Sequence, residues 1–117
     1  MKKNNGYIQM ILDKWGRLLN EGRLTDVVAL YTDKSSLIST FDSIFINDLN
    51  GIHNYFEKLV NKNAKVRVLT MNVTKIEDHF LEFGIYEFSY ADKVINARFS
   101  MLSNGESIIH HHSSVCN

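Results

Sequence analysis

The last residues of the chain include its densest group of side chains that could take part in binding or catalysis. Three consecutive histidines, His110, His111 and His112, are followed by Ser113 and Ser114. Imidazoles and hydroxyls both donate and accept hydrogen bonds. Because successive side chains of a strand point to opposite faces, His112 and Ser114 would share one face and His111 the other. This spacing indicates a polar site on one face of a strand.

The histidine run has several interpretations. A hydrophobic lead-in and the following Ser-Ser-Val-Cys-Asn argue against an expression tag. His110 and His112 on one face could bind a metal, but a closed metal site needs more ligands. The other histidines are His53 and His79, and no Cys, Asp or Glu stands nearby at ligand spacing. We therefore expect a site without metal.

A metal-free site would use the same side chains as pocket liners. His112 and Ser114, two residues apart, could hold a water or a small anion by hydrogen bonds. The plain structural alternative is that the run pairs with neighbouring strands or lies at a subunit interface. Residue types alone leave these alternatives open.

Other polar groups stand among apolar neighbours. Thr40 ends a short apolar stretch, and the hydroxyl of Tyr55, on a helical apolar stripe, needs a partner if buried. Arg98, inside an apolar strand, must be paired if it points inward and is solvated if it points outward. Glu87 is its candidate partner.

Helical and strand periodicities predict the elements that would position these groups. A helix over 7–20 is followed by a short helix, capped by Thr25, that carries Val27, Val28, Leu30 and Tyr31. A third helix starts at Asn47, Asp48 or Asn50 and runs to about Val60. The predicted strands are Ser36–Phe41, Lys65–Ile76, Phe80–Tyr90, Val94–Leu102 and Glu106–Val115. Tight turns between the last four strands favour antiparallel pairing, and a long twisted sheet should curl. The expected fold is α+β, one domain over 1–117, with a curved antiparallel sheet packed on the N-terminal helix around an internal cavity.

Composition excludes several classes of function. The 117 residues carry 13 basic and 13 acidic side chains, so no positive field exists to attract nucleic acid. Neutrality also does little to keep copies apart, which is compatible with oligomers. The single cysteine, Cys116, cannot form an internal disulfide. The N-terminus lacks the apolar region of a signal peptide, and no apolar run is long enough to cross a bilayer, so we expect a cytoplasmic protein without membrane contact.

Ordered motifs along the chain carry a family resemblance. They are Val28–Tyr31, Ile38–Thr40, Ile52–Phe56, Gly84–Ser89, Ala97–Ser100 and His110–Ser114. The order helix, helix, strand, helix, sheet resembles the nuclear transport factor 2-like superfamily. The His-His-His-Ser-Ser ending resembles the association domain of calcium/calmodulin-dependent kinase II and, more closely, proteins related to iota-class carbonic anhydrases. Glu106-Ser107 stands where those proteins usually have a tryptophan.

The resemblance implies a site and a function. Matched by position, the site residues would be Thr40, Tyr55, His112 and Ser114, with His111 and Ser113 on the other face as the alternative. The implied activity is reversible hydration of CO2 to bicarbonate in a homodimer or larger homo-oligomer. The resemblance implies either no cofactor, which we expect here, or Zn or Mn as the alternative. The alternative is a non-catalytic module for oligomerisation or small-ligand binding.

A third, weaker possibility is ketosteroid isomerase-like chemistry, which needs a carboxylate base in an apolar cavity. The candidate bases are Asp42 and Glu87.

Overall fold

The computed structural model describes residues 10–41 and 45–116. The helices are α1 (Ile11–Asn20), α2 (Leu24–Val28) and α3 (Leu49–Asn61). The strands are β1 (Tyr31–Ile38), β2 (Phe45–Ile46), β3 (Lys65–Ile76), β4 (His79–Tyr90), β5 (Lys93–Ser103) and β6 (Ile108–Val115). The predicted start of the first helix at residue 7 lies outside the described residues. Within them, no helix is long and apolar enough to span a membrane.

The first helix is amphipathic, as its periodicity predicts. Leu12, Trp15 and Leu19 lie on its buried face and are at most 1% exposed. The helix ends before Gly22, whose φ of 70° lies in the left-handed region that glycine adopts without strain. This arrangement lays one apolar stripe of α1 against the sheet.

The third helix begins at a side-chain cap. Of the three candidate residues, Asp48 is the cap: its Oδ1 accepts a hydrogen bond from Gly51 N at 2.6 Å. The cap satisfies one of the free N–H groups of the first turn. Ile52 and Phe56 then point into the core.

The six strands form one curved, open sheet in the order β2-β1-β6-β5-β4-β3. The pairs along β3–β4–β5–β6 are antiparallel, as the tight turns predict. The pair β1–β6 is parallel, which corrects the expectation of a wholly antiparallel sheet. These strands are far apart in the sequence and not joined by a turn, so the turn argument does not apply to them.

The first and the last predicted strands differ most from the observed ones, and the first ends at Ile38 instead of Phe41. The first strand begins at Tyr31 instead of Ser36, because α2 is only five residues long and ends at Val28. The last strand begins at Ile108 instead of Glu106. The side-chain oxygen of Asn104 accepts hydrogen bonds from both Glu106 N and Ser107 N, which holds these two residues in the turn.

The core lies between the helices and the concave face of the sheet. Aromatic rings fill its centre: Trp15 stacks on Tyr86 with ring centroids 5.5 Å apart and meets Phe56 and Phe88 edge-on. Polar side chains on this face are therefore surrounded by apolar surface, where an unpaired polar group is costly.

Candidate functional site

The side chain of His111 lies in this core between two phenols. Its Nδ1 is 2.8 Å from the hydroxyl of Tyr31, and its Nε2 is 3.1 Å from the hydroxyl of Tyr86. His111 is 2% exposed, Tyr31 4% and Tyr86 0%. Both ring nitrogens thus have hydrogen-bond partners, as burial requires.

The sheet register brings these three residues together from three strands. β6 lies between β1 and β5, with His111 opposite Leu37 on one side and Met101 on the other. Tyr31 enters from the start of β1, and Tyr86 reaches across from β4. Trp15 of α1 closes the site from the helix side, with its ring edge-to-face with His111 at 5.2 Å. The imidazole is therefore held on several sides.

A chain of hydroxyls leads away from the imidazole. The phenol of Tyr86 donates a hydrogen bond to Ser113 Oγ at 2.7 Å. The hydroxyl of Ser113 is in turn hydrogen-bonded to that of Thr40, just beyond the end of β1. Ser113 is buried, whereas Thr40 is half-buried. The polar chain thus runs from the interior toward the edge of the core.

Burial keeps the groups of this chain neutral. Burial, with smaller contributions from the neighbouring His110 and His112, lowers the pKa of His111 to about 3. Burial raises the pKa of both Tyr31 and Tyr86 above the usual value of a phenol. At neutral pH the imidazole is therefore uncharged and the phenols keep their hydrogens.

Tyr55 of α3 lies beside the same cluster. It is 6% exposed, and its proximity adds to the rise in the pKa of both Tyr31 and Tyr86. The indole N–H of Trp15 lacks a hydrogen-bond partner among the described residues, but it lies close enough to the Tyr31 hydroxyl to oppose the rise of that pKa. Two phenols and the indole ring thus contact His111, and the phenol of Tyr55 lies near both of these phenols.

The predicted site residues divide between the two faces of β6. Thr40 and Tyr55 lie at the cluster. On β6, however, His111 and Ser113 face the core, and His112 and Ser114 lie on the opposite, outer face. This corrects the choice of face: alternation holds, but the partners on β1 and β5 decide which members of the run point inward.

The outer face holds the remaining members of the run. His110 Nδ1 is 2.6 Å from Ser36 Oγ, and burial together with His112 lowers the pKa of His110. Arg98 is exposed and donates to the carbonyl of Val115. In the described ranges, no three His, Cys, Asp or Glu side chains converge in a way that would bind a metal ion.

Of the two candidate carboxylates for isomerase chemistry, Glu87 does not lie at the cluster. Glu87 pairs with Arg67 at 3.4 Å rather than with Arg98, and the Arg67 side chain is 71% exposed. Asp42 lies outside the described residues.

Sequence reasoning missed Tyr31, Tyr86 and Glu82. Tyr31 was assigned to the short helix, and Tyr86 to a strand without a role. The alternation of Gly84, Tyr86, Phe88 and Tyr90 contains the signal, because a tyrosine on a buried face needs a hydrogen-bond partner. Extending that alternation by one step reaches Glu82.

Glu82 is a buried carboxylate on the concave face, away from the hydroxyl chain. It is 1% exposed, and its Oε1 accepts a hydrogen bond from Leu12 N at 3.2 Å. Its Oε2 has no hydrogen-bond partner among the described residues, and burial raises the pKa of the carboxyl. Glu82 therefore caps the first turn of α1 from the sheet.

A groove of about 390 Å³ lies between α1 and the edge strand β3. Its floor includes Leu12, Gly16 and Val66, and Asp13 and Arg17 also line it. None of its lining residues belongs to the hydroxyl–imidazole cluster. The groove and the cluster are thus separate features of the molecule.

No family model and no curated protein matches this chain. Solved structures do. A candidate calcium/calmodulin-dependent protein kinase II association domain from Xanthomonas campestris is 27% identical, with a TM-score of 0.81, over 91% of this chain and 83% of that one.

Two further structures are similar at lower identity. A nuclear transport factor 2-like protein of unknown function from Pseudomonas putida is 13% identical, with a TM-score of 0.76, over 88% of this chain and 80% of that one. A candidate ketosteroid isomerase from Parabacteroides distasonis is 15% identical, with a TM-score of 0.74, over 92% and 86%. The chain therefore has the nuclear transport factor 2-like, cystatin-like fold, as its sequence predicts.

Proposed function

We propose that this chain is an enzyme that hydrates CO2 reversibly to bicarbonate at the hydroxyl–imidazole cluster of its concave face. The observation that carries the proposal is the continuous chain Thr40–Ser113–Tyr86–His111 inside an aromatic core. Its half-buried end, Thr40, is where a small molecule would meet it. The site residues are then Thr40, Tyr55, His111 and Ser113.

The cluster supplies hydrogen-bond donors in a water-poor setting. Bicarbonate carries a negative charge on oxygen, and that charge develops as water attacks the carbon of CO2. Fixed hydroxyl donors stabilise such charge more strongly in an apolar site than in water. Thr40, which accepts a hydrogen bond from Ser113, would donate its own hydrogen to an oxygen of CO2, and the phenol of Tyr55 would orient the attacking water. As the oxygen of this water bonds to carbon, one C=O π bond opens to leave negative charge on oxygen, and the proton of the water passes to buffer. Because the pKa of His111 is lowered to about 3, its neutral imidazole adds no charge that would trap the product.

A stopped-flow assay of CO2 hydration tests the proposal, with and without a chelator and after addition of Zn or Mn. We expect a rate above that of buffer, lost in Ser113→Ala. Ser114→Ala is the matched control because it removes the same atom from the outer face of the same strand. A rate equal to buffer under all conditions, or equal loss in both variants, would refute the proposal.

A second candidate function is assembly without catalysis, through the outer face of the sheet. On this face Ile38 of β1 is 39% exposed and Val94 of β5 is 64% exposed. The half-buried Phe83 and Ile85 lie on the same face, on the strand β4 next to β5. The similar Xanthomonas protein is named as an association domain. The partner would be a second copy, because the neutral chain offers little electrostatic repulsion.

Light scattering during size-exclusion chromatography tests this second candidate. We expect a dimer or larger oligomer at micromolar concentration that dissociates in Phe83→Arg. Val73→Arg is the control, because Val73 is 40% exposed but lies on the opposite face of the sheet, in register with the buried Glu82. A monomeric wild type would exclude assembly through this face.

A further inference from the structure

We propose that Tyr31 is a positioning residue that, acting through His111, sets the direction of the hydrogen bonds reaching Thr40. Four successive hydrogen bonds join Tyr31, His111, Tyr86, Ser113 and Thr40. The inference rests on the proposed function only for the identity of the ligand at Thr40.

The direction follows from the link between Tyr86 and Ser113. Tyr86 is the donor in this bond. A phenol has a single hydrogen, so its oxygen can only accept the other hydrogen bond, from His111 Nε2. The network therefore assigns the ring hydrogen of His111 to Nε2.

Tyr31 completes this assignment at the far end. A neutral imidazole has one N–H, so with Nε2 protonated its Nδ1 is an acceptor. Tyr31, 2.8 Å away, must then donate to Nδ1. The Tyr31 hydroxyl is thus the first donor in the series of hydrogen bonds. Its raised pKa means that this phenol keeps its hydrogen.

The direction of the hydrogen bonds matters for binding at the Thr40 end of the chain. Ser113 accepts from Tyr86, so its own hydrogen is available to Thr40. The hydroxyl hydrogen of Thr40 can then point to a ligand or to the phenol oxygen of Tyr86. Thr40 lies close enough to that oxygen to lower the pKa of Tyr86. Thr40 thus presents a donor that selects ligands with an acceptor oxygen, such as a carboxylate or bicarbonate.

Without the Tyr31 hydroxyl, the hydrogen bonds from His111 to Thr40 would no longer be held in one direction. In Tyr31→Phe the buried Nδ1 loses its donor, and the ring hydrogen can move to Nδ1. Nε2 would then accept from Tyr86, Ser113 would lose its donor, and the chain would run in both directions. We expect a mixture of His111 tautomers and about tenfold weaker bicarbonate binding, equivalent to about 1.4 kcal/mol.

The experiment is ¹⁵N NMR of the imidazoles, combined with a bicarbonate titration followed at the Thr40 methyl group. The control is Ser36→Ala. It also removes a β1 hydroxyl that is hydrogen-bonded to the Nδ1 of a β6 histidine, His110, but on the outer face of the sheet. In the wild type we expect His111 to carry its hydrogen on Nε2. Tyr31→Phe, but not Ser36→Ala, should mix the tautomers and weaken binding.

Two results would overturn the inference: a wild-type His111 protonated on Nδ1, or a Tyr31→Phe protein with unchanged tautomer and bicarbonate affinity. The proposed reaction can be refuted independently of this positioning role. If the wild type binds bicarbonate and shows the Nε2 tautomer but does not hydrate CO2, the positioning role stands and the enzyme assignment falls.

Discussion

His111 and His112 are consecutive residues on one strand, yet they lie in opposite environments. His111 is 2% exposed and bonded to two phenols, whereas His112 is half-buried on the outer face opposite Ser100. The core-facing residue should therefore carry more of the stability. We expect His111→Ala to lower the free energy of unfolding by roughly 3 kcal/mol, because it opens a cavity and removes a hydrogen-bond partner from the hydroxyl of each of the two phenols. We expect His112→Ala to lower it by less than about 1 kcal/mol. Denaturant unfolding measures both, and equal losses would contradict the placement.

Acid should destabilise the protein through His111. The pKa of His111 is lowered to about 3 in the folded chain, against 6.5 for a free side chain. Between these values the unfolded chain binds one more proton, so stability falls as pH falls from 6.5 toward 3, by up to about 1.4 kcal/mol per pH unit. Unfolding curves over this range should show the fall, and His111→Gln should lack this contribution. An identical pH dependence in the variant would refute it.

The contribution of Glu82 to stability should depend on pH in the opposite direction to that of His111. Its carboxyl pKa is raised by burial, so the stability it contributes is complete below the ordinary value of 4.5 and is lost as pH rises through the folded pKa. Glu82→Gln preserves an oxygen for Leu12 N but cannot ionise. The difference in unfolding free energy should therefore shift in favour of the variant as pH rises from 4 to 8. A difference that does not change with pH would exclude a buried ionising carboxyl.

Two glycines offer a matched test of backbone packing. A Cβ on Gly84 would lie 2.1 Å from the carbonyl oxygen of Thr70, next to the irregularity in β3. Gly84→Ala should therefore destabilise the fold, by about 1–3 kcal/mol. A Cβ on Gly16 in α1 would meet only Val66 at 3.5 Å, so Gly16→Ala should stabilise the helix by about 0.5–1 kcal/mol. Thermal unfolding distinguishes the two, and a neutral Gly84→Ala would contradict the close approach.

Periodicity alone predicted most of the secondary structure. The apolar stripe of α1, the strand Lys65–Ile76 and the end of the strand at Tyr90 all follow from repeats of 3.6 or 2 residues, which depend on local backbone geometry. The strand that begins at Tyr31 was placed too late, because a short apolar run does not distinguish a helix from a strand without its tertiary partners.

The site was predictable only in part, for a related reason. The alternation of the histidine run follows from strand geometry, and the resemblance pointed to Thr40 and Tyr55. The phase of the alternation does not follow, because a shift of one residue exchanges the two faces and only the neighbouring strands determine it.

The sequence by itself determined most of the element types, the α+β class and the presence of a polar run in the final strand, because each depends on residues close together in the chain. Only the tertiary structure decided that His111 rather than His112 enters the core, that Tyr31 and Tyr86 are its partners, and that β1 pairs with β6 in parallel. The physical reason is sequence separation. Tyr31 and His111 are 80 residues apart, and no local pattern records which distant side chain will satisfy a buried imidazole.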